Sequence, residues 1–150
     1  MSAYKNFNIA IFASGAGSNA QKIITYFSNS SFAKIALVVC NNPGAGVLQI
    51  AANEKIPVLM IEKRNFNETG YVEEMQKNKI DFIVLAGFLW KVPEVLIKAF
   101  PHHIINIHPA LLPDYGGKGM YGNAVHEAVI EAKEKLSGIT IHYVDEKYDH

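Results

Sequence analysis

Residues 8–30, NIAIFASGAGSNAQKIITYFSNS, decide the fold. The first six residues, 8–13, form a run that is apolar apart from Asn8, which is typical of a strand buried on both faces. From Ala20 onward the apolar residues recur at helical spacing, with Ile23, Ile24 and Phe27 on one side. A buried strand, a turn with two glycines and an amphipathic helix in succession predict the opening unit of an open α/β sheet.

The same alternation of strands and helices continues along the chain. Further strands are predicted at 35–40, 56–61, 80–88, 103–108 and 138–144, and helices at 47–55, 67–79, 93–100 and 123–135. Asn67 is the predicted N-cap of its helix and Pro93 the first residue of the next. Short connections between such elements predict an open, mainly parallel, twisted sheet with helices on both faces, in one domain spanning 1–150. Ligands then bind beyond the carboxyl ends of the strands.

Composition excludes several classes of protein. The chain has 150 residues, 49% of them apolar, and 14 basic residues balance 14 acidic ones. A formal net charge of zero gives no support to nucleic-acid binding through bulk electrostatics, so a small-molecule partner is favoured. Cys40 is the only cysteine, which excludes an internal disulfide and fits a reducing cytoplasm. The start lacks the apolar core of a signal peptide, and no run approaches the ~18 residues needed to span a membrane.

The turn after the first strand has the pattern of an anion site. Residues 15–20, GAGSNA, fit the dinucleotide fingerprint, but the second strand ends in CNNP with no carboxylate to hold a ribose. A helix N-terminus next to glycines still offers unpaired N–H groups to one phosphate, with Gly17, Ser18 and Asn19 as its ligands. The alternative is an ordinary turn in which Ser18 or Asn19 caps the helix.

A candidate catalytic pair lies in IINIHPALLP, residues 104–113. Asn106 and His108 are two residues apart on a strand, so they share one face, and Pro109 ends the strand just beyond them. An amide donor beside an imidazole is what a developing oxyanion needs, and histidine also carries a proton near neutral pH. The alternative is that loop backbone satisfies both side chains.

The remaining titratable residues give weaker signals. Four more histidines are predicted to be surface residues (His102, His103) or packing residues (His126, His142). No carboxylate or cysteine stands at a ligand spacing beside His102, His103 and His108, so no metal site is predicted. The final VDEKYDH is a solvated loop by itself. If the last strand pairs with 103–108, however, it brings one of these acids near His108 and favours the charged imidazole.

Taken together, these segments resemble the folate-dependent formyltransferase family. The resemblance runs from residue 7 to the last residue and includes SGAGSN (14–19), VLAGFL (84–89), NIHPALLP (106–113), GITIHYV (138–144) and DEKYDH (145–150). NIHP followed by LLP is typical of the whole family. The GSN turn is similar to that of the branch acting on glycinamide ribonucleotide, a substrate with one 5′-phosphate.

The resemblance implies a reaction and roles for matching positions. The reaction is transfer of the formyl group of 10-formyltetrahydrofolate to the amine of glycinamide ribonucleotide, in purine biosynthesis and without a metal. Asn106 and His108 stabilise the tetrahedral oxyanion, Asp149 pairs with His108, and Thr140 supports this cluster. Gly17, Ser18 and Asn19 bind the substrate phosphate. The residues implied to line the folate pocket are Leu89, Trp90, Lys91, Val92, Val144 and Asp145.

The resemblance also implies that the family's C-terminal segment is missing from residues 1–150, and that the fold is the Rossmann-like formyltransferase fold. The expected protein is a cytoplasmic monomer or homodimer that binds small molecules and neither nucleic acid nor membrane. Two other functions stay open. One is another member of the family, a formyltetrahydrofolate hydrolase or a transferase for a different amine. The other is a non-catalytic nucleotide-binding module.

Overall fold

A single six-stranded sheet organises residues 5–147, which are those that the computed structural model describes. Its spatial order is β3-β2-β1-β4-β5-β6, in which the first five strands run parallel and β6 is antiparallel to β5. The strands are β1 (Phe7–Ala13), β2 (Ala33–Cys40), β3 (Val58–Met60), β4 (Phe82–Leu85), β5 (Ile104–His108) and β6 (Thr140–Tyr143). The predicted open, mainly parallel α/β fold is confirmed.

Helices connect successive strands, and the last of them leads to the antiparallel strand β6. They are α1 (Ser18–Phe27), α2 (Val47–Asn53), α3 (Gly70–Lys77), α4 (Glu94–Ala99) and α5 (Asn123–Glu131), with a short 3₁₀ turn at Lys63–Asn65. Two predicted helix starts are wrong by one or two residues. The N-cap of α3 is Thr69 rather than Asn67, and Pro93 is the N-cap of α4 rather than its first helical residue.

The core is divided by the sheet into two layers. Phe12 of β1 packs with Met75 of α3 and Leu96 of α4 on one face. Its neighbour Ile11 points to the other face and packs in the layer that contains Ala20 of α1. Because successive residues of a strand face opposite sides, the continuous apolar run of β1 fills both layers. The parallel order of the strands places the carboxyl ends of β1, β4 and β5 side by side at one edge of the sheet.

Strand β6 buries its polar residues better than its apolar ones. Ile141 and Tyr143 are 60% and 62% exposed, whereas Thr140 and His142 are only partly exposed. The register with β5 pairs His108 with Thr140 and Asn106 with His142. The alternation in 138–144 therefore correctly predicts a strand, and its polar face is the one that meets the candidate catalytic pair.

Candidate active site

The glycine turn after β1 presents backbone N–H groups at the start of α1. Gly17 is the N-cap with a φ of +85°, and no side chain caps the helix. The first amide bonded into the helix is that of Gln21, which donates to the Gly17 carbonyl at 2.8 Å. The amides of Ser18, Asn19 and Ala20 precede it, so the helix supplies no carbonyl to them. The capping alternative is therefore wrong, and the turn has the geometry of an anion site.

The loop after β2 packs directly on this turn. The Asn42 side chain donates from Nδ2 to the Ser14 carbonyl (3.2 Å) and accepts through Oδ1 from the Gly44 N–H (3.0 Å). The Val47 N–H donates to the Gly15 carbonyl at 3.1 Å. These bonds tie the turn to the segment after β2 through the carbonyls of Ser14 and Gly15.

Replacing Gly17 with alanine is expected to destabilise the fold by about 2–5 kcal/mol. An added Cβ would lie 2.9 Å from side-chain atoms of Val47 and Ile50, at a φ that L residues rarely adopt. Gly15→Ala is the matched control, because its Cβ would meet no atom within 4 Å. Urea unfolding should show a change below about 1 kcal/mol for Gly15→Ala. Equal losses in the two variants would contradict this packing.

Asn106 and His142 meet across β5 and β6. Asn106 Nδ2 lies 3.1 Å from His142 Nε2, and His142 Nδ1 lies 3.0 Å from the Tyr143 carbonyl oxygen. Both contacts are hydrogen bonds when Nδ1 carries the proton and Nε2 accepts from the amide. His142 was predicted to be a packing residue, which is wrong. The signal that could have found it is the antiparallel pairing of 103–108 with 138–144.

His108 is buried at the end of β5, with 2% of the residue exposed. Its Nε2 lies 2.7 Å from the Tyr115 carbonyl oxygen, so Nε2 carries a hydrogen and donates it. The alternative of satisfaction by loop backbone is thus correct for one nitrogen of His108. It is wrong for Asn106, whose amide meets a side chain instead.

Thr140 lies opposite His108 in the β5–β6 pair and holds the loop after β5. Its hydroxyl donates to the Ala110 carbonyl at 2.7 Å and accepts from the Leu112 N–H at 3.0 Å. Thr140 therefore fixes the chain that leaves His108 rather than contacting the imidazole through these bonds.

Tyr115 closes this loop over the imidazole. It has a φ of +56°, which is uncommon for a residue other than glycine. Its hydroxyl donates to a Glu134 carboxylate oxygen at 2.8 Å, and this hydrogen bond raises the pKa of Tyr115 above its ordinary value. The bond also ties the loop to the segment that follows α5.

The residues implied to line a folate pocket fall on two segments. Leu89 is 45% exposed in the turn after β4, and Lys91 is exposed in the same turn. Trp90 instead packs its ring 5.8 Å from Phe66 and 6.3 Å from Phe88, measured between ring centroids. Val92 is buried in the same core layer, and Val144 is partly buried against it. Asp145 accepts a hydrogen bond from the Lys147 N–H through its carboxylate, at 2.7 Å.

The predicted partner of His108, Asp149, lies outside the described residues. Within residues 5–147 no three histidine, cysteine or acidic side chains gather as they would around a metal ion. No helix in the same range has both the length and the apolar character needed to cross a bilayer.

Comparisons with known proteins identify relatives of this chain. A formyl transferase family profile matches residues 7–150. The chain is 43% identical over 148 residues to the chloroplastic phosphoribosylglycinamide formyltransferase of Arabidopsis thaliana, covering 94% of this chain and 51% of that one. It is 36% identical to phosphoribosylglycinamide formyltransferase of Bacillus subtilis, covering 93% of this chain and 72% of that one.

Solved structures of similar proteins share this fold. Glycinamide ribonucleotide transformylase 1 of Geobacillus kaustophilus superimposes with a TM-score of 0.84 at 33% identity, over 94% of this chain and 76% of that one. The Anaplasma phagocytophilum phosphoribosylglycinamide formyltransferase gives 0.86 at 32% identity, over 97% and 68%. The chain spans about half the length of the two plant relatives it matches. Fold and sequence agree, and the chain belongs to the formyl transferase family.

Proposed function

We propose that this protein transfers the formyl group of 10-formyltetrahydrofolate to the amine of glycinamide ribonucleotide, in purine biosynthesis. The observation that carries the proposal is the pair of Asn106 and His108. They lie on one face of β5 at its carboxyl end, where an open α/β sheet binds its ligands. The names of the relatives support the choice of substrate, and the glycine turn supports a substrate with a phosphate.

The chemistry that this pair assists is direct acyl transfer. The neutral amine attacks the formyl carbon, a C–N bond forms, and the carbonyl oxygen takes the negative charge of a tetrahedral intermediate. The bond from carbon to N10 of the folate then breaks, and the proton lost by the amine passes to N10. No covalent enzyme intermediate and no metal enters this balance, so catalysis rests on positioning and on oxyanion stabilisation.

Each member of the pair has a donor for the oxyanion. One hydrogen of the Asn106 amide is held by His142, which fixes the amide plane and leaves the second hydrogen for the substrate. The His108 Nε2–H is held by the Tyr115 carbonyl. A charged oxyanion accepts a stronger hydrogen bond than a neutral carbonyl does. The oxyanion is therefore proposed to replace the Tyr115 carbonyl as the acceptor of the Nε2–H as its charge develops. Asp149 remains the proposed partner of the His108 imidazole.

The glycine turn is proposed to hold the substrate's 5′-phosphate through the Gly17, Ser18 and Asn19 region. Three amides at the start of α1 and the positive end of the helix dipole supply the attraction. The folate is proposed to lie along Leu89–Val92 and the segment of Val144 and Asp145. Leu89 offers the most exposed apolar surface of this set.

Phosphate binding is expected to perturb the turn and little else. Titration with ribose 5-phosphate should shift the NMR amide signals of Ser18, Asn19 and Ala20. Ser18→Asp should weaken binding at least about tenfold, because a negative charge would repel the phosphate at close range. Ser28→Asp, at the far end of α1, is the matched control and should bind as the parent does. Shifts confined to other loops would contradict the assignment.

The reaction itself separates the proposal from its rivals. Glycinamide ribonucleotide and 10-formyltetrahydrofolate are incubated with this chain and with a chain extended to the length of the B. subtilis relative. Formylated product supports the proposal, whereas release of formate without it indicates the hydrolase. Binding of ribose 5-phosphate with neither reaction in either chain indicates a non-catalytic module.

Three further properties stay predictions. Residues 1–150 are proposed to form one domain. A monomer or homodimer is expected, and analytical ultracentrifugation would distinguish the two. A cytoplasmic location is also proposed, and the chloroplastic name of the Arabidopsis relative makes localisation of the tagged protein its necessary test.

A further inference from the structure

Ser14, at the carboxyl end of β1, joins three segments of the site by hydrogen bonds. Its N–H donates to the Gly87 carbonyl at 3.0 Å, and its hydroxyl oxygen accepts from the Leu89 N–H at 3.0 Å. Its own carbonyl accepts from the Asn42 side chain at 3.2 Å. The residue is buried, with 4% exposed, and the next residue is Gly15. One serine therefore contacts the turn after β4 and the loop after β2, and it begins the glycine turn.

The bond to Leu89 is not a continuation of the sheet. The ladder between β1 and β4 extends through the Ala86 N–H to the Phe12 carbonyl, and then through Ser14 to Gly87. Gly87 has a φ of +73°, which turns the chain away from the strand direction. The Leu89 amide has thus left the ladder, and a side-chain hydroxyl accepts its hydrogen bond instead. This bond fixes the turn after β4 relative to the end of β1.

We propose that Ser14 is a positioning residue that couples the phosphate half of the site to the folate half, an inference that rests on the proposed function. Gly15 begins the turn assigned to the phosphate, and Leu89 begins the turn assigned to the folate. A ligand that orders one turn restrains the other through the shared hydroxyl. The second ligand then meets a turn that is already restrained, so each ligand should bind more tightly in the presence of the other.

A serine elsewhere in the chain provides a matched control. The Ser30 hydroxyl accepts from the Phe32 and Ala33 N–H groups at 3.2 Å each, in the turn before β2. Ser30→Ala therefore removes the same kind of bond at the opposite edge of the sheet. A merely structural role for Ser14 predicts that both alanine variants lower thermal stability and that neither changes the coupling between ligands.

The test measures that coupling in the full chain. Tetrahydrofolate, which has no formyl group to transfer, is titrated with and without saturating ribose 5-phosphate. Fluorescence of Trp90 reports binding, because it is the single tryptophan and lies next to Leu89. In the parent and in Ser30→Ala, ribose 5-phosphate should tighten tetrahydrofolate binding about 5-fold or more. Ser14→Ala should reduce this factor to about 1, and Ser14→Thr, which keeps the hydroxyl, should restore it.

The possible outcomes separate the two proposals. An unchanged coupling factor in Ser14→Ala, or a parent that binds both ligands without coupling, overturns the role of Ser14 alone. Failure of the parent to bind either ligand refutes the proposed function and this inference with it. If Ser14→Ala does not fold, Ser14→Cys replaces it, because a thiol sulfur is a weak acceptor of similar size. The expected reduction in coupling is then smaller but in the same direction.

Discussion

His108→Ala is expected to lower the rate of formyl transfer by about 10²–10³-fold, because it removes one oxyanion donor. The loss of a proton carrier adds to that effect. Single-turnover kinetics at saturating substrates would measure it, in this chain or in the extended chain, whichever is active. The effect should fall on the chemical step, so the dissociation constants of both substrates should change little.

A buried histidine also contributes to stability, and the design must separate the two roles. His108 is 2% exposed and bonded to the Tyr115 carbonyl, so alanine leaves a cavity and an unpaired acceptor. His108→Gln retains an N–H donor for that carbonyl but cannot carry the proton. It should recover much of the stability and little of the rate. His126 is exposed on α5, so the prediction that it is a packing residue is wrong, and His126→Ala is the control for histidine loss. A His108→Ala enzyme within a few-fold of the parent would refute the assignment.

Asn106→Asp is expected to cost at least about 10²–10³-fold in the same rate. The substitution keeps the size of the side chain, but a carboxylate has no hydrogen to donate and repels the developing oxyanion. Asn106→Ala removes the donor without adding charge and should be less harmful than Asn106→Asp. This order identifies an oxyanion donor. If Asn106 only filled space, Asn106→Asp, which keeps the size of the side chain, would be milder than Asn106→Ala.

The control for Asn106 lies at the other edge of the sheet. Asn8 donates from Nδ2 to the Lys79 carbonyl at 3.0 Å, near the start of β1. Asn8→Ala should alter stability and leave the rate unchanged. Rates for Asn106→Asp that match the parent, with normal substrate binding, would exclude the amide from the mechanism.

Most of the fold could be predicted from local patterns. The run NIAIFA is apolar at every position except its first, Asn8, and only a strand covered on both faces accommodates that. Shorter elements were less predictable. The strand expected at 56–61 is shorter in the structure, where it spans only Val58–Met60. Predicted ends are uncertain by one or two residues, which is a large fraction of so short a strand. The prediction of Asn67 as the N-cap rests on residue type alone, and the helix instead begins two residues later, with Thr69 as its N-cap.

The sequence by itself determined the positions of the candidate site residues: which strand carries Asn106 and His108, that both share a face, and that glycines precede α1. These features depend on strand periodicity and on residue type, which are local. Only the tertiary structure decided the contacts between segments far apart in the chain. His142 meets Asn106 because β6 pairs with β5 in a register that aligns them. Ser14 reaches Leu89 because β4 lies beside β1. A local pattern fixes the face on which a side chain lies, whereas the identity of its partner depends on strand order and register, which the whole sheet sets.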